Sequence, residues 1–302
     1  MQKKYIFILV SFVLFLSFIF IFLIQKKPVV KPSPSVEKKI QIVATFYPLQ
    51  YLATQIGKDS VEVINLTPSG GEPHDYEPTP QDVLKIERAD VFVFNGAHFE
   101  IWAEKLLSQI SSKRLHILNM SVILSEIDTD PHFWLDPILF SKEAEAVRDM
   151  FISLNPNQKE MYTKNTENLI FEFKNLESVY TKELSKCVHN EIVSSHDAFH
   201  YLAKRFGFTV LPLAGISPSQ DPTPKHIAEL AKYVKEKNIR YVFTETLTNQ
   251  KFANTLASEL NIKTLVLNPI EGLTKSDLDQ NKDYISIMKE NLQNLRMALE
   301  CE

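Results

Sequence analysis

Asn155-PNQKEMYTKNTENLIFEFKNLESVYTKELS-Lys186 reads as one long helical stretch near the middle of the chain. Beyond Pro156 it holds no proline or glycine. Asn155 suits a helix cap and Pro156 the first helical position. A continuous helix over 155–186 would reach roughly 48 Å at the usual rise per residue. A helix of that length can run down the side of two lobes and join them stiffly, unlike the short strand hinges that allow wide closure.

Outward from this helix, both flanks alternate short β-branched or apolar runs with helical stretches. Before it, 40–45, 61–66 and 91–94 read as strands and 48–56 and 79–88 as helices. After it, 192–195, 210–213, 241–244 and 264–267 read as strands, with helices at 224–237 and 249–260. Such alternation implies parallel sheets covered by helices. The fold class is therefore α/β, two Rossmann-like lobes with parallel sheets joined by one long bridging helix. The expected divisions are 1–27, a signal or membrane anchor; 28–39, a proline-rich tether; 40–154, the first lobe; 155–186, the bridge; and 187–302, the second lobe.

The first segment differs in composition from the rest. Lys3 and Lys4 precede an apolar run from Tyr5 to Ile24, and Lys26 and Lys27 close it. Phe22, Leu23 and Ile24 stand where a cleavage site would need small residues, so an uncleaved anchor and a cleaved signal are both open. No cysteine follows the run, which excludes lipid attachment there. Pro28, Pro32 and Pro34 make the next stretch a semi-rigid spacer. This places the folded body outside the cytoplasm, tethered to the membrane. In the whole chain of 302 residues, 23% are charged and the net charge is -4, which gives no bias toward nucleic acid. The two cysteines, Cys187 and Cys301, are equally readable as a disulfide or as two buried thiols.

Three short stretches carry chemistry. Gly70-GEPHDYEPTPQ-Asp82 follows a strand and precedes a helix, so His74 sits at the carboxyl edge where open α/β sheets bind ligands. Its prolines hold the loop, and Asp75 and Glu77 are candidate partners for the imidazole. Asp130-PHFWLD-Pro137 places His132 between carboxylates and aromatic residues that can dry a site. Ser194-SHDAF-His200 contains His196 and His200 at the spacing of zinc metalloproteases, with Asp197 where those enzymes carry glutamate. A zinc hydrolase built on these residues is the competing reading. It is weakened because His196 falls at a strand-to-helix turn, so the two histidines would not share one helix face. A third reading is an anchored adhesion protein with a structural metal.

With these stretches in view, the chain resembles the substrate-binding proteins of zinc or manganese ABC transporters, the ZnuA and TroA type of cluster A-I. PHDYEPTPQD, PHFWLDP and SSHDAFHYLAKRFG carry the resemblance, which covers the body from Ile40 onward. It implies two lobes bridged by one helix, a metal held by His74, His132 and His196, and a fourth ligand just before the last helix, for which Asp283 in DYISIMKEN is the choice. Asp277 and Asp279 lie close by. It also implies a receptor without catalytic activity, a monomer that passes its ion to an ABC permease. Three imidazoles and one carboxylate favour Zn2+, with Mn2+ or iron as the alternative. The His- and acid-rich loop common in zinc members is missing from 81–126.

Overall fold

The computed structural model describes residues 2–24, 38–124 and 129–302. The expected tether over 28–39 lies, up to residue 37, outside the described residues, as does 125–128. Residues 1–38 and 39–302 form two separate compact units. In the first, helix α1 (Gln2–Ile24) covers the apolar run, about 34 Å at helical rise. Its described side chains, Lys4 to Ile19, are exposed. Among the described residues no helix is long and apolar enough to cross a membrane.

The second unit is built on two parallel four-stranded sheets. β1 (Ile40–Ala44), β2 (Val61–Asn65), β3 (Val91–Phe94) and β4 (His116–Asn119) form the first, in the order β2-β1-β3-β4. With them come α2 (Tyr47–Gly57), α3 (Pro80–Arg88), α4 (Ile101–Leu107) and α5 (Met120–Leu124). Helices α6 (Pro137–Leu154) and α7 (Lys159–Glu183) follow. β5 (Glu191–Ser194), β6 (Thr209–Pro212), β7 (Tyr241–Thr244) and β8 (Lys263–Val266) form the second sheet, in the matching order β6-β5-β7-β8. Its helices are α8 (His200–Phe206), α9 (Pro224–Glu236), α10 (Lys251–Leu260), α11 (Lys275–Asp279) and α12 (Tyr284–Leu299). The edge strand β4 escaped the sequence reading because His116 and Ile117 are exposed and give no buried run.

The bridging helix is shorter than the sequence suggested. Asn155 does not cap it. Its N–H closes α6 on the Phe151 carbonyl (2.8 Å), and Pro156–Gln158 form a separate 3-10 turn. α7 then spans 25 residues, about 38 Å. It buries Tyr162, Thr166, Leu169, Phe173, Leu176 and Tyr180, an alternation of four and three residues that lays one apolar stripe on the body. Beyond Glu183 the chain turns into a short antiparallel contact with the C-terminus, where Cys187 and Cys301 are joined as a disulfide. Closing a loop of sequence separation 114 constrains the unfolded chain by about 4 to 5 kcal/mol in the entropy model.

One apolar core runs through both halves. Phe46 and Trp134 pack near the first sheet, Phe140, Phe173 and Tyr284 meet in the middle, and Phe199 and Leu295 continue under the second. Hydrogen bonds add to this join. Trp134 Nε1 donates to the Pro269 carbonyl (2.8 Å), Tyr284 to the Trp134 carbonyl (2.7 Å) and Tyr180 to the Met288 carbonyl (2.5 Å). Separating the halves would expose this core and break buried polar contacts, so wide hinge motion is costly.

Candidate metal centre

The carboxyl ends of the strands in both sheets deliver the site. His74 lies on a 3-10 turn, Pro73–Asp75, in the loop after β2. Pro73 fixes the first turn residue, and the His74 N–H donates to Glu72 Oε1 (3.1 Å). Downstream, Thr79 and Asp82 form a capping box that starts α3, and the Tyr76 hydroxyl donates to Asp82 (2.9 Å), so both ends of the loop are held.

His132 precedes the 3-10 turn Phe133–Leu135, and Asp136 caps α6 immediately afterward. Asp130 Oδ1 takes both its backbone N–H (3.0 Å) and its Nδ1 (2.7 Å). His196 sits two residues beyond β5. Glu245, the first residue after β7, takes its Nδ1 (2.6 Å) and its backbone N–H (3.2 Å). Carboxylates on Nδ1 leave Nε2 of each ring as the lone-pair atom, and the Nε2 atoms face one another. Phe99 and Trp134 wall the site, with ring centroids 4.5 Å from His74 and 5.2 Å from His132 respectively.

The fourth member is Glu271, five residues past β8. It follows Ile270, a fully buried β-branched residue with φ of 60°. That conformation costs on the order of 1–3 kcal/mol and persists only when the surroundings enforce it. Here the Ile270 N–H donates to Asn268 Oδ1 (2.8 Å), and Asn291 of α12 clasps the Asn268 backbone on both sides (2.8 and 2.7 Å). The strained turn aims Glu271 at the histidines.

The distances define a small cage. His74 Nε2 lies 3.2 Å from His132 Nε2, which lies 3.4 Å from His196 Nε2. Glu271 Oε1 stands 3.3, 3.4 and 3.6 Å from the nitrogens of His74, His132 and His196. Donors about 2.0–2.1 Å from a tetrahedral ion would stand about 3.3–3.4 Å apart, so the cage matches zinc in size and coordination number. The imidazole–glutamate approaches lack hydrogen-bond geometry, and both Glu271 oxygens are buried without a hydrogen-bond partner. Three Nε2 atoms and a carboxylate oxygen converging at these separations make a donor set that could hold a cation.

In the metal-free site burial and the neighbouring charges oppose one another. Burial would raise the Glu271 carboxyl, but the three imidazoles hold it well below its usual range. Burial would lower His196, and Glu245 with Glu271 holds it well above. His132 is raised against burial by Asp130 and Glu271, whereas burial prevails at His74 and lowers it. Burial, with Glu271 nearby, pushes Glu72 up to about 8.

The structure therefore brings His74, His132 and His196 together and leaves Asp283 out. Asp283 is the N-cap of α12, its Oδ1 accepting the Ser286 N–H (2.8 Å) in a reciprocal capping box, so its carboxylate is engaged in starting the helix. The one group of metal-ligating side chains among the described residues is His74, His132, His196 and Glu271, whose donor atoms all lie within 4.8 Å of one another. His200 is exposed at the start of α8 and outside that group, which removes the paired-histidine arrangement of a hydrolase. Sequence reasoning missed Glu245 and Glu271. Both lie beyond the carboxyl ends of strands, the position rule that flagged His74, which makes them candidates without singling them out.

Comparison with known proteins places this geometry in context. The family model for the periplasmic component A of the zinc-uptake complex, ZnuA, matches residues 42–298. The high-affinity zinc uptake system protein ZnuA of Bacillus subtilis is 38% identical over 280 residues, 86% of this chain and 88% of that protein. The zinc-binding lipoprotein AdcA of Streptococcus pneumoniae is 34% identical over 283 residues, and there the chain spans only 56% of the relative's length. Among solved structures, the Zn(II)-bound ZnuA-like domain of that AdcA superposes with a TM-score of 0.77 at 36% identity, covering 87% of this chain and 99% of the domain. Laminin-binding protein Lmb of Streptococcus agalactiae, described as an adhesin with metal transporting activity, gives 0.79 at 32% identity, with 86% and 99% covered.

Proposed function

The chain belongs to the ZnuA family of periplasmic zinc-uptake components, and from that premise we propose that it captures one Zn2+ between its two lobes and delivers it to an ABC permease. The ion is cargo, not a catalytic centre: the family is one of substrate-binding receptors. The observation that carries the proposal is the cage of three Nε2 atoms and one carboxylate oxygen with separations of 3.2–3.6 Å. Four donors fill a tetrahedral zinc shell and leave no position for an attacking water. Mn2+ prefers more oxygen ligands in a larger shell, so the nitrogen-rich set selects against it.

In this reading His74, His132, His196 and Glu271 ligate the ion, while Asp130 and Glu245 fix two of the rings. The body is extracytoplasmic and works as a monomer. Its apolar run, Tyr5 to Ile24, serves as export signal or membrane anchor. Protein purified without added metal and analysed by elemental mass spectrometry should carry close to one zinc per chain. Titration of the stripped protein should show zinc displacing manganese. A chain that takes up manganese in preference, or binds neither ion, would overturn the proposal.

A further inference from the structure

We infer that the hydrogen bond between Ser219 and Asp75 is a latch across the mouth of the centre that sets how fast the ion leaves. The inference rests on the zinc reading above. His132, His196 and Glu271 have side chains 0% exposed, and His74 alone reaches solvent, at 6%. An ion must therefore pass on the His74 side. Asp75 is the next residue, exposed on the same 3-10 turn. Its two carboxylate oxygens stand 2.7 and 2.6 Å from the hydroxyl oxygen of Ser219, whose single proton they share.

Ser219 comes from the other half, on the segment between β6 and α9. The base of that segment is tied to the turn that carries His196. Leu213 and Ala214 donate to the carbonyls of Ser194 and Ser195 (2.8 and 2.9 Å), and Asp197 donates to the Gly215 carbonyl (3.0 Å). Its tip makes local bonds, Ser219 N–H to Ser217 Oγ (3.4 Å) and Gln220 N–H to the Ser217 carbonyl (3.3 Å). The contact with Asp75 thus couples an otherwise self-contained loop tip of one half to the ligand turn of the other.

The rest of the interface explains why this contact matters for rate. Besides the Trp134, Tyr284 and Tyr180 bonds, Ser69 Oγ and the Gly70 N–H both donate to the Leu273 carbonyl (2.6 and 3.0 Å) beside Glu271. Opening the whole interface means breaking these and exposing the shared core, whereas opening at the His74 edge means breaking the exposed Ser219–Asp75 hydrogen bond and the contacts of the His74 ring alone. Local openings follow the least costly route, so the ion leaves when the latch parts and His74 swings outward.

Stopped-flow measurement of zinc transfer from the loaded full chain to excess chelator tests the latch. Loss of one net hydrogen bond should make Ser219→Ala release zinc about two- to tenfold faster. Ser219→Thr, which keeps the hydroxyl, should release at the wild-type rate. Adding Ser219→Ala to Asp75→Ala should change nothing further. The Co2+-loaded absorption spectrum of Ser219→Ala should match wild type, since no ligand is touched. Wild-type release by Ser219→Ala, or a further increase in the double variant, overturns the latch. A wild-type protein that holds no stoichiometric zinc overturns the metal reading itself, and the latch with it.

Discussion

The interior and the rim of the metal centre are built differently. In the interior, the rings of His132 and His196 are sealed from water and each is locked by a carboxylate on its Nδ1. At the rim, His74 has its backbone fixed by Glu72 and Pro73, leans on Phe99 and keeps a sliver of exposure. The interior is organised for affinity, because fixed rings and dry walls remove the ordering cost of binding. On the proposed function the rim serves exchange, because a receptor that passes on its cargo needs one ligand that can let go.

The largest expected effect would break this contrast if absent. His132→Ala or His196→Ala removes one of four donors from a site type worth about 10–16 kcal/mol, so zinc affinity should fall by about 100-fold or more in a chelator competition assay. His74→Ala should cost measurably less, because water reaches that edge and can take the vacant position. Equal losses at all three would erase the distinction between interior and rim.

Replacing the carboxylates that orient the rings should come next. Asp130→Ala or Glu245→Ala should weaken zinc binding about 10–100-fold while leaving four donors in place, as isothermal titration would show. pH then separates the charged pair from the metal. His196 is held well above its ordinary 6.5, burial notwithstanding, by Glu245. In metal-free protein that pair contributes fully below 6.5 and is lost as pH rises through the raised folded value. Zinc needs neutral imidazoles, so its stabilisation grows over the same window. Melting curves with chelator and with zinc should therefore diverge as pH rises above 6.5, and parallel curves would contradict the pairing.

The smallest effect on binding belongs to Asp283. Asp283→Ala should leave zinc affinity unchanged and lower stability by about 1 kcal/mol through loss of the α12 cap, read as a shifted denaturation midpoint. A loss of zinc binding in this variant would restore the carboxylate to the ligand shell and displace Glu271.

Much of the fold was legible because it is written locally. Alternating apolar runs marked seven of the eight strands, and the bridging helix showed as one long stretch without proline or glycine. Asn155 misled because the same residue can end one helix or begin the next, and only the Phe151 carbonyl above it decided. The three histidines were legible because prolines, aromatics and carboxylates surround them in sequence. Glu245 and Glu271 were not, because each follows a strand with no neighbouring motif, and their use depends on what stands opposite in space.

A two-lobed α/β chain with three imidazoles presented on separate loops can be read from residue order alone. Which carboxylate joins them depends on how the chain packs in space. Asp283 and Glu271 lie twelve residues apart with the same charge, and one caps a helix while the other is turned inward by the strained backbone at Ile270. The choice follows from where the chain folds back against His74, His132 and His196, a long-range fact that neither residue's neighbours encode.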